Sequence, residues 1–306
     1  IEAKILGCEL ILNENVQHKD EDWFKDRDTI VNYLKTRSSF FWKTIEEIAS
    51  DELKIVKKNP KKRQNIKIII PFYNAEKWIS KCIKSIKLQN YDNYECFMVD
   101  DMSSDSSYAT ALTAIAEDQR FKLISNKEKH WALGNIYKTI ETYVHDDNDI
   151  IVLVDGDDWL ASTQSLSILA EAYDDESCLM TYGSYVYNPI GARGIEPSQY
   201  SEEVIKNNLF REDKWRASHL RSFKYCLWNL LDQEDLKDKS GNFYTMAYDQ
   251  AIMLPLLELA ANKSKYIEET LYVYNKQNSL NVDKINAKRQ FETAQEIRTK
   301  KKYKAI

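Results

Sequence analysis

From Ile66 onward, short runs dominated by apolar residues alternate with stretches in which apolar positions recur every three or four residues. Ile66–Pro71, Cys96–Val99, Phe121–Ser125 and Ile150–Val154 are the short runs. Between them, Glu76–Leu88 brings Ile79, Cys82, Ile83 and Ile86 to one helical face. A second helix passes through Leu112 and Ile115, and a third carries Leu133, Ile136, Tyr137 and Ile140. Apolar strands without polar alternation, separated by amphipathic helices, predict a parallel sheet covered on both sides. This Rossmann-like half occupies residues 66–190. After Asn188-Pro189 the pattern loosens. Residues 191–282 predict helices at Leu220–Leu231, opening at Ser218-His219, and at Tyr248–Ala260, with a short strand at Leu271–Tyr274. Residues 283–306 form a basic, weakly amphipathic tail, predicted to be a helix packed on the domain.

Ahead of this lies a helical extension over residues 1–60, with Trp23, Ile30, Val31 and Leu34 on one face and Phe41, Ile45 and Ile48 on another. It ends in Lys54–Lys67, which holds seven basic residues and no acid. A solvated linker explains such a run; a patch for a membrane surface or a partner is the alternative. No internal repeat is present.

Composition narrows the function. Of 306 residues, 43% are hydrophobic, enough for a sizeable core, which excludes global disorder. The formal net charge of -5 argues against a nucleic-acid partner held by bulk electrostatics. Cys8, Cys82, Cys96, Cys178 and Cys226 lie far apart with no CxxC pair, so buried free thiols in a reducing compartment are expected. No apolar run is long enough to span a bilayer and no signal peptide is visible, so the expected location is cytoplasmic. The chain begins at Ile1 rather than Met, compatible with a segment of a longer protein.

Candidate chemistry gathers at two strand ends, where open parallel sheets bind ligands. Cys96–Val99 runs into Asp100-Asp101, and Ile151–Val154 runs into Asp155-Gly156-Asp157-Asp158. Two acid clusters on one edge repel each other and call for a cation. Carboxylate oxygens in an Asp-rich turn suit Mg²⁺ or Mn²⁺, ions that also bind diphosphates. Gly156 allows close approach of a ligand. An EF-hand starting at Asp155 fails, because its bidentate Glu would fall on Leu166. A phospho-acceptor receiver would carry its acid pair after the first strand, where this chain has Pro71-Phe72-Tyr73-Asn74. Neither GxGxxG nor a P-loop is present.

At this point the chain resembles a known family. Ile68-Ile69-Ile70-Pro71-Phe72-Tyr73-Asn74-Ala75-Glu76 looks like the opening strand and turn of family 2 glycosyltransferases. Gln89 and Glu95–Asp105 (ECFMVDDMSSD) are similar to that family's second strand and DDxSxD turn. Asn126 with Ala132-Leu133-Gly134-Asn135 resembles its donor-side loop and helix, and Val154–Leu160 (VDGDDWL) its DxD strand end. The resemblance covers about residues 66–190 and implies a GT-A fold: an α/β architecture with a mostly parallel sheet flanked by helices, an N-terminal helical extension and a C-terminal acceptor subdomain.

It also implies roles. Pro71, Tyr73, Asn74, Asp101, Asn135, Asp155 and Arg221 would bind the donor, a UDP-sugar by the family's usual preference. Tyr73 would stack on the base and Asp101 hydrogen-bond it. Asp155, Asp157 and Asp158 would hold Mn²⁺ or Mg²⁺ on the diphosphate, with His219 completing the shell. Asp249, in the first turn of an otherwise apolar helix, is either a helix cap or a site acid. The resemblance makes it the base that deprotonates an acceptor hydroxyl, on a glycan or other acceptor, with inversion. Its helix N-terminus would keep it a carboxylate. Two departures stand out: Met102 replaces the usual Gly, and Lys127-Glu128-Lys129-His130 replaces a Gly- and Arg-bearing loop, so Lys127 or Lys129 would supply the missing positive charge. Trp159, Tyr182, Tyr185, Tyr187, Trp215 and Trp228 are more simply packing residues than sugar platforms, and Asp232, Glu234 and Asp235 read as solvent-facing. A non-catalytic sugar-nucleotide-binding module and a nucleotidyltransferase are the alternatives. The second would carry a Gly-rich basic loop where PFYNAEKW stands.

Overall fold

The computed structural model describes residues 28–30, 63–278 and 286–306. The chain divides into two units, Ile1–Lys62 and Arg63–Ile306. In the first, residues 28–30 are helical and Ile30 is buried. The rest of the predicted extension, and the basic run over residues 54–62, lie outside the described residues.

The second unit is built on one eight-stranded sheet ordered β3-β2-β1-β4-β7-β6-β8-β5. Its strands are β1 (Ile66–Phe72), β2 (Tyr94–Asp100), β3 (Phe121–Ser125), β4 (Ile150–Leu153), β5 (Trp159–Leu160), β6 (Met180–Asn188), β7 (Ser218–Lys224) and β8 (Ser264–Asn275). β3, β2, β1 and β4 are mutually parallel, joined through α1 (Ile79–Lys87), α2 (Ser107–Ile115) and α3 (Trp131–Tyr143). The parallel strands are buried on both faces, as their unbroken apolar runs require. Ile66, Ile68, Ile70, Cys96, Met98, Ile150 and Val152 face a core shared with α1, α2 and α4 (Ser165–Ala172). Ile69, Phe97, Ile151 and Leu153 face the opposite core, with α3 and the later helices.

Register sets the site. Phe72 pairs with Asp100, and Asp101 N–H donates to Phe72 O at 2.9 Å, so the first acid pair emerges at the end of β1. Val154 N–H donates to Ile69 O at 3.1 Å, which brings Asp155–Asp158 out at the same edge. A Cβ on Gly156 would lie 2.4 Å from Phe72 Cβ, so this glycine is required by packing against β1, whatever the ligand.

The second half departs from expectation. The predicted helix over Leu220–Leu231 is instead strand β7, antiparallel to β4, followed by the single-turn α6 (Tyr225–Trp228) after α5 (Glu202–Lys206). Leu220, Phe223, Leu227 and Leu231 recur at helical spacing, but β7 is buried along its whole length between β4 and β6. Strand burial overrides that periodicity. The short strand predicted at Leu271–Tyr274 lies in the last part of the longer β8, which pairs with β6 from Ser264 to Asn275. α7 (Tyr248–Ala260) is buried from Ala251 to Ala260 and packs against α8 (Ala287–Arg298). Buried Arg211 donates to Glu258 from Nε at 2.6 Å and from Nη2 at 2.9 Å, and to Ile297 O from Nη1 at 2.6 Å, which ties α8 to the domain.

Candidate active site

The strand ends open into a cleft of about 850 Å³. It is lined by every predicted site residue except Asn74. Asn74, at φ +48°, spends its side chain on the neighbouring turn, accepting from Ser104 N–H at 2.8 Å. None of Trp159, Tyr182, Tyr185, Tyr187, Trp215 and Trp228 lines the cleft, whereas Tyr274 does. Asp232 and Glu234 are exposed and Asp235 is half-buried.

At one end stands Asp101, 4% exposed. Its carboxylate accepts from the backbone N–H of His130 at 2.8 Å and of Trp131 at 2.9 Å, and from Asn126 Nδ2 at 3.0 Å. Burial alone would raise its pKa; these donors outweigh burial and hold it below the ordinary value. Asn126 Nδ2 also donates to Asn135 Oδ1 at 2.7 Å, and buried Asn135 keeps its own Nδ2 without a full hydrogen bond. Of the two expected lysines, Lys129 lines the cleft and Lys127 is exposed. Lys129 Nζ lies 2.9 Å above the centre of the Tyr73 ring and 4.0 Å from Asp101 Oδ2. Tyr73 is 42% exposed, with its ring at the cleft wall.

The other end is crowded with charge. β7 runs antiparallel to β4 with Leu153 opposite Arg221, so continuing the register by two residues sets His219 beside Asp155. The strand thus achieves what a helix opening at Ser218 would not. Ligand atoms of Asp155, Asp158 and His219 all lie within 4.8 Å of one another. Asp158 Oδ1 accepts from Asn275 N–H at 2.7 Å, while its buried Oδ2 has no partner. Burial, then the charges of Asp157 and Asp155, push the Asp158 carboxyl well above its usual range. Burial also pushes Asp157 up to about 6, against a hydrogen bond from Asn278 Nδ2 at 2.7 Å. Buried His219 stacks on Tyr272 with ring centres 4.3 Å apart; burial and then Arg221 hold it well below the ordinary histidine value, hence neutral. Two acids whose ionisation burial disfavours, an orphan carboxylate oxygen and a neutral imidazole fit a divalent cation. Asp157 is not in that three-residue cluster.

Arg221 is the hub. Its Nη2 is 2.9 Å from His219 Nδ1 and 3.6 Å from Asp155 Oδ2, and its Nη1 is 3.7 Å from Asp249 Oδ2. Nε and Nη1 make no hydrogen bond. Burial opposes the charge of Arg221, but Tyr248, Asp249 and Asp155 more than compensate, so it stays a guanidinium. Asp249 lies in the first turn of α7 as expected. Burial pushes its carboxyl up, outweighing the opposing pull of Arg221. Two partners went unseen in the sequence. Tyr248 hydroxyl donates to Asp155 Oδ1, and Asp155 N–H donates to Tyr272 hydroxyl at 3.0 Å. Among the described residues no helix is long and apolar enough to cross a membrane.

The family model described as Glycosyl transferase family 2 matches residues 67–233. The chain is 24% identical over 214 residues to the uncharacterized glycosyltransferase EpsJ of Bacillus subtilis, covering 68% of this chain and 60% of that protein. It is 30% identical over 147 residues to the Escherichia coli UDP-Glc:alpha-D-GlcNAc-diphosphoundecaprenol beta-1,3-glucosyltransferase WfgD, covering 46% of this chain and 55% of WfgD. It therefore spans little more than half the length of these two relatives. Among solved structures, S. aureus TarS 1-349 in complex with UDP-GlcNAc is similar with a TM-score of 0.53 and 17% identity over 71% of this chain and 60% of that one. The mannosyltransferase PcManGT from Pyrobaculum calidifontis, in complex with GDP-Man and Mn2+, has a TM-score of 0.53 and 17% identity over 84% of this chain and 72% of that one. These likenesses show the fold, which is GT-A.

Proposed function

We propose that this chain, which belongs to glycosyl transferase family 2, moves a sugar from a nucleoside diphosphate donor, a UDP-sugar, to a hydroxyl of an acceptor glycan, with inversion and with the help of Mn²⁺ or Mg²⁺. Residues 66–190 form the donor half and residues 191–282 the acceptor half. The observation that carries this reading is the position of Arg221, within 4 Å of both Asp155 from the first half and Asp249 from the second. A departing diphosphate and an accepting base need that kind of proximity. UDP complexes of TarS and Mn²⁺ complexes of PcManGT support the choice of donor and ion. The buried free thiols Cys82, Cys96 and Cys178 support a reducing, cytoplasmic setting.

Tyr73 offers its ring to the base, and Asp101, kept ionised, accepts a base N–H. Asn135 Nδ2, beside the Asp101 carboxylate, is a further donor for the base. Asp155, Asp158 and His219 would hold the cation, with Asp157 lining the same cleft and accepting from Asn278 Nδ2. The ion, when bound, offsets charge on the departing diphosphate. Arg221 does the same from the acceptor side. Asp249 takes the proton of the acceptor hydroxyl, and its upward-shifted pKa makes it a stronger base than a solvated aspartate. With one base and no covalent intermediate, attack opposite the leaving group inverts the anomeric centre.

Calorimetry with UDP, with and without Mn²⁺, tests the reading. UDP binding that strengthens at least tenfold with Mn²⁺, together with slow Mn²⁺-dependent hydrolysis of a UDP-sugar, is expected. Absence of UDP binding under both conditions would overturn it.

A further inference from the structure

The acid at the end of β4 and the acid at the start of α7 are joined by a second link besides Arg221. Tyr248, the residue before Asp249, gives its hydroxyl to Asp155 Oδ1. The hydroxyl of Tyr272 receives the N–H of Asp155, so a tyrosine hydroxyl meets both the side chain and the backbone of this one residue. We infer that Tyr248 is a positioning residue, which turns the Asp155 carboxylate so that only Oδ2 is presented to the cation and fixes the start of α7, and with it Asp249, at a set distance from the diphosphate. The inference rests on the proposed donor site.

The local chemistry supports it. A carboxylate tied by a hydroxyl at one oxygen is left with the other for an ion, which makes Asp155 a one-oxygen ligand. Asp155 Oδ2 is also the oxygen nearest Arg221, at 3.6 Å, so the tie leaves ion and guanidinium facing the same atom. The first turn of α7 is otherwise held at Gln250, whose Oε1 accepts from Arg298 Nε at 3.1 Å, and at Asp249 beside Arg221, so at Tyr248 the hydroxyl is the tie to the β4 acids. The cap residue of α7, Ala247, is left-handed, at φ +48°, and offers no side-chain cap. The ring of Tyr248 packs with the second core, alongside Tyr244 and Ala251, so a phenyl ring can fill the same space. Hydroxyl and ring therefore have separable jobs.

Tyr248→Phe isolates the hydroxyl. Loss of one hydrogen bond to a charged group is expected to weaken Mn²⁺–UDP binding about tenfold in calorimetry done without acceptor. UDP alone should bind as to wild type, because the base end is untouched. The manganese electron paramagnetic resonance spectrum of the UDP complex should change, since Asp155 is freed to rotate. The double variant Tyr248→Phe/Asp155→Asn should bind no more weakly than Asp155→Asn, because the hydroxyl acts only through that carboxylate. If the hydroxyl merely tethers α7, Tyr248→Phe lowers Tm and leaves Mn²⁺–UDP affinity and the spectrum unchanged; that result overturns the inference and leaves the donor site standing. Wild-type protein that binds no Mn²⁺–UDP removes both.

Discussion

The two ends of the cleft are built on opposite electrostatic terms. At the Tyr73 end, the Asp101 carboxylate is buried but met by donors on both oxygens, and its pKa is lowered. At the Arg221 end, Asp157, Asp158 and Asp249 all have raised pKa values, and Asp158 Oδ2, Arg221 Nε and Arg221 Nη1 lack hydrogen-bond partners. One end is nearly complete without ligand, leaving Asn135 Nδ2 short of a full hydrogen bond. The other carries unmet charge of both signs, which becomes useful when a diphosphate and a cation arrive. Buried polar groups left unpaired cost stability, so their concentration at one end marks where folding has been compromised for chemistry.

The largest expected effect probes the incomplete end. Asp249→Asn keeps the shape and the helix-starting position but cannot take a proton. kcat should fall ~10²–10⁴-fold, the usual worth of a general base, while Mn²⁺–UDP affinity changes little. Wild-type kcat should rise with pH along an acid limb as Asp249 deprotonates, and that limb should vanish in the variant. Near-wild-type kcat would make Asp249 only a helix-start residue, since Asn serves there as well as Asp. Retained anomeric configuration in the product, read by NMR, would end the single-displacement scheme.

A smaller effect compares the two ends directly through pH. A carboxyl whose folded pKa is raised stabilises the fold below its unfolded value, near 3.8, and that contribution is lost as pH rises through the folded value, about 6 for Asp157. Asp101 has the opposite sign: its contribution is present above 3.8 and lost as pH falls through its lower folded value. Asp158→Asn should therefore match ligand-free wild type at pH 4 and exceed it in stability at pH 7, because the variant has no buried carboxyl to ionise. Asp101→Asn should instead be less stable at pH 7, by about 1–3 kcal/mol, because N–H donors then face an amide. With Mn²⁺–UDP at a hundred times its Kd, wild type should gain about 2.7 kcal/mol and Asp158→Asn far less. Urea denaturation at the two pH values checks the signs. Equal signs for the two variants would dissolve the contrast between the ends.

The same contrast governs what the sequence could disclose. The Asp101 end depends on strands buried on both faces, so Ile66–Pro71 and Cys96–Val99 announce themselves as apolar runs and their acids as strand ends. The Arg221 end depends on pairings distant in sequence. Tyr248 meets Asp155 across 93 residues and Tyr272 meets it across 117, and neither hydroxyl has a local pattern. β7 was misread because Leu220, Phe223, Leu227 and Leu231 mimic a helical stripe, when His219 and Arg221 reach Asp155 only on a strand. The upward push on the Asp249 carboxyl is hidden from the sequence for a related reason. Its helix N-terminus was legible, but the burial that outweighs it comes from tertiary packing. Within the donor loop, the lysine that reaches Tyr73 is Lys129, a choice that chain direction at His130 and Trp131 decides and composition does not.

The smallest predicted effect asks whether the nearly complete end is as relaxed as its hydrogen bonds imply. Met102 follows Asp101 directly and sits at φ +63°, in the left-handed region, with 46% of its surface exposed. A residue with a Cβ pays roughly 1–2 kcal/mol for that backbone, and glycine pays roughly 0.5–1 kcal/mol in chain entropy instead. Met102→Gly should then stabilise the protein by at most about 1 kcal/mol, read as a higher urea midpoint at unchanged m-value. The turn itself should survive, because Asn74 N–H donates to Ser103 Oγ at 3.0 Å and Ser103 N–H to Asp100 Oδ1 at 3.1 Å. Met102 does not line the cleft, so UDP affinity should stay the same. A stabilised variant with unchanged affinity would make Met102 a local strain with no bearing on the ligand, and the Asp101 end preformed in the full sense. A variant that gains stability but loses UDP affinity would mean that strain at Met102 helps aim Asp101, so that both ends of the cleft, and not one, give up stability for binding.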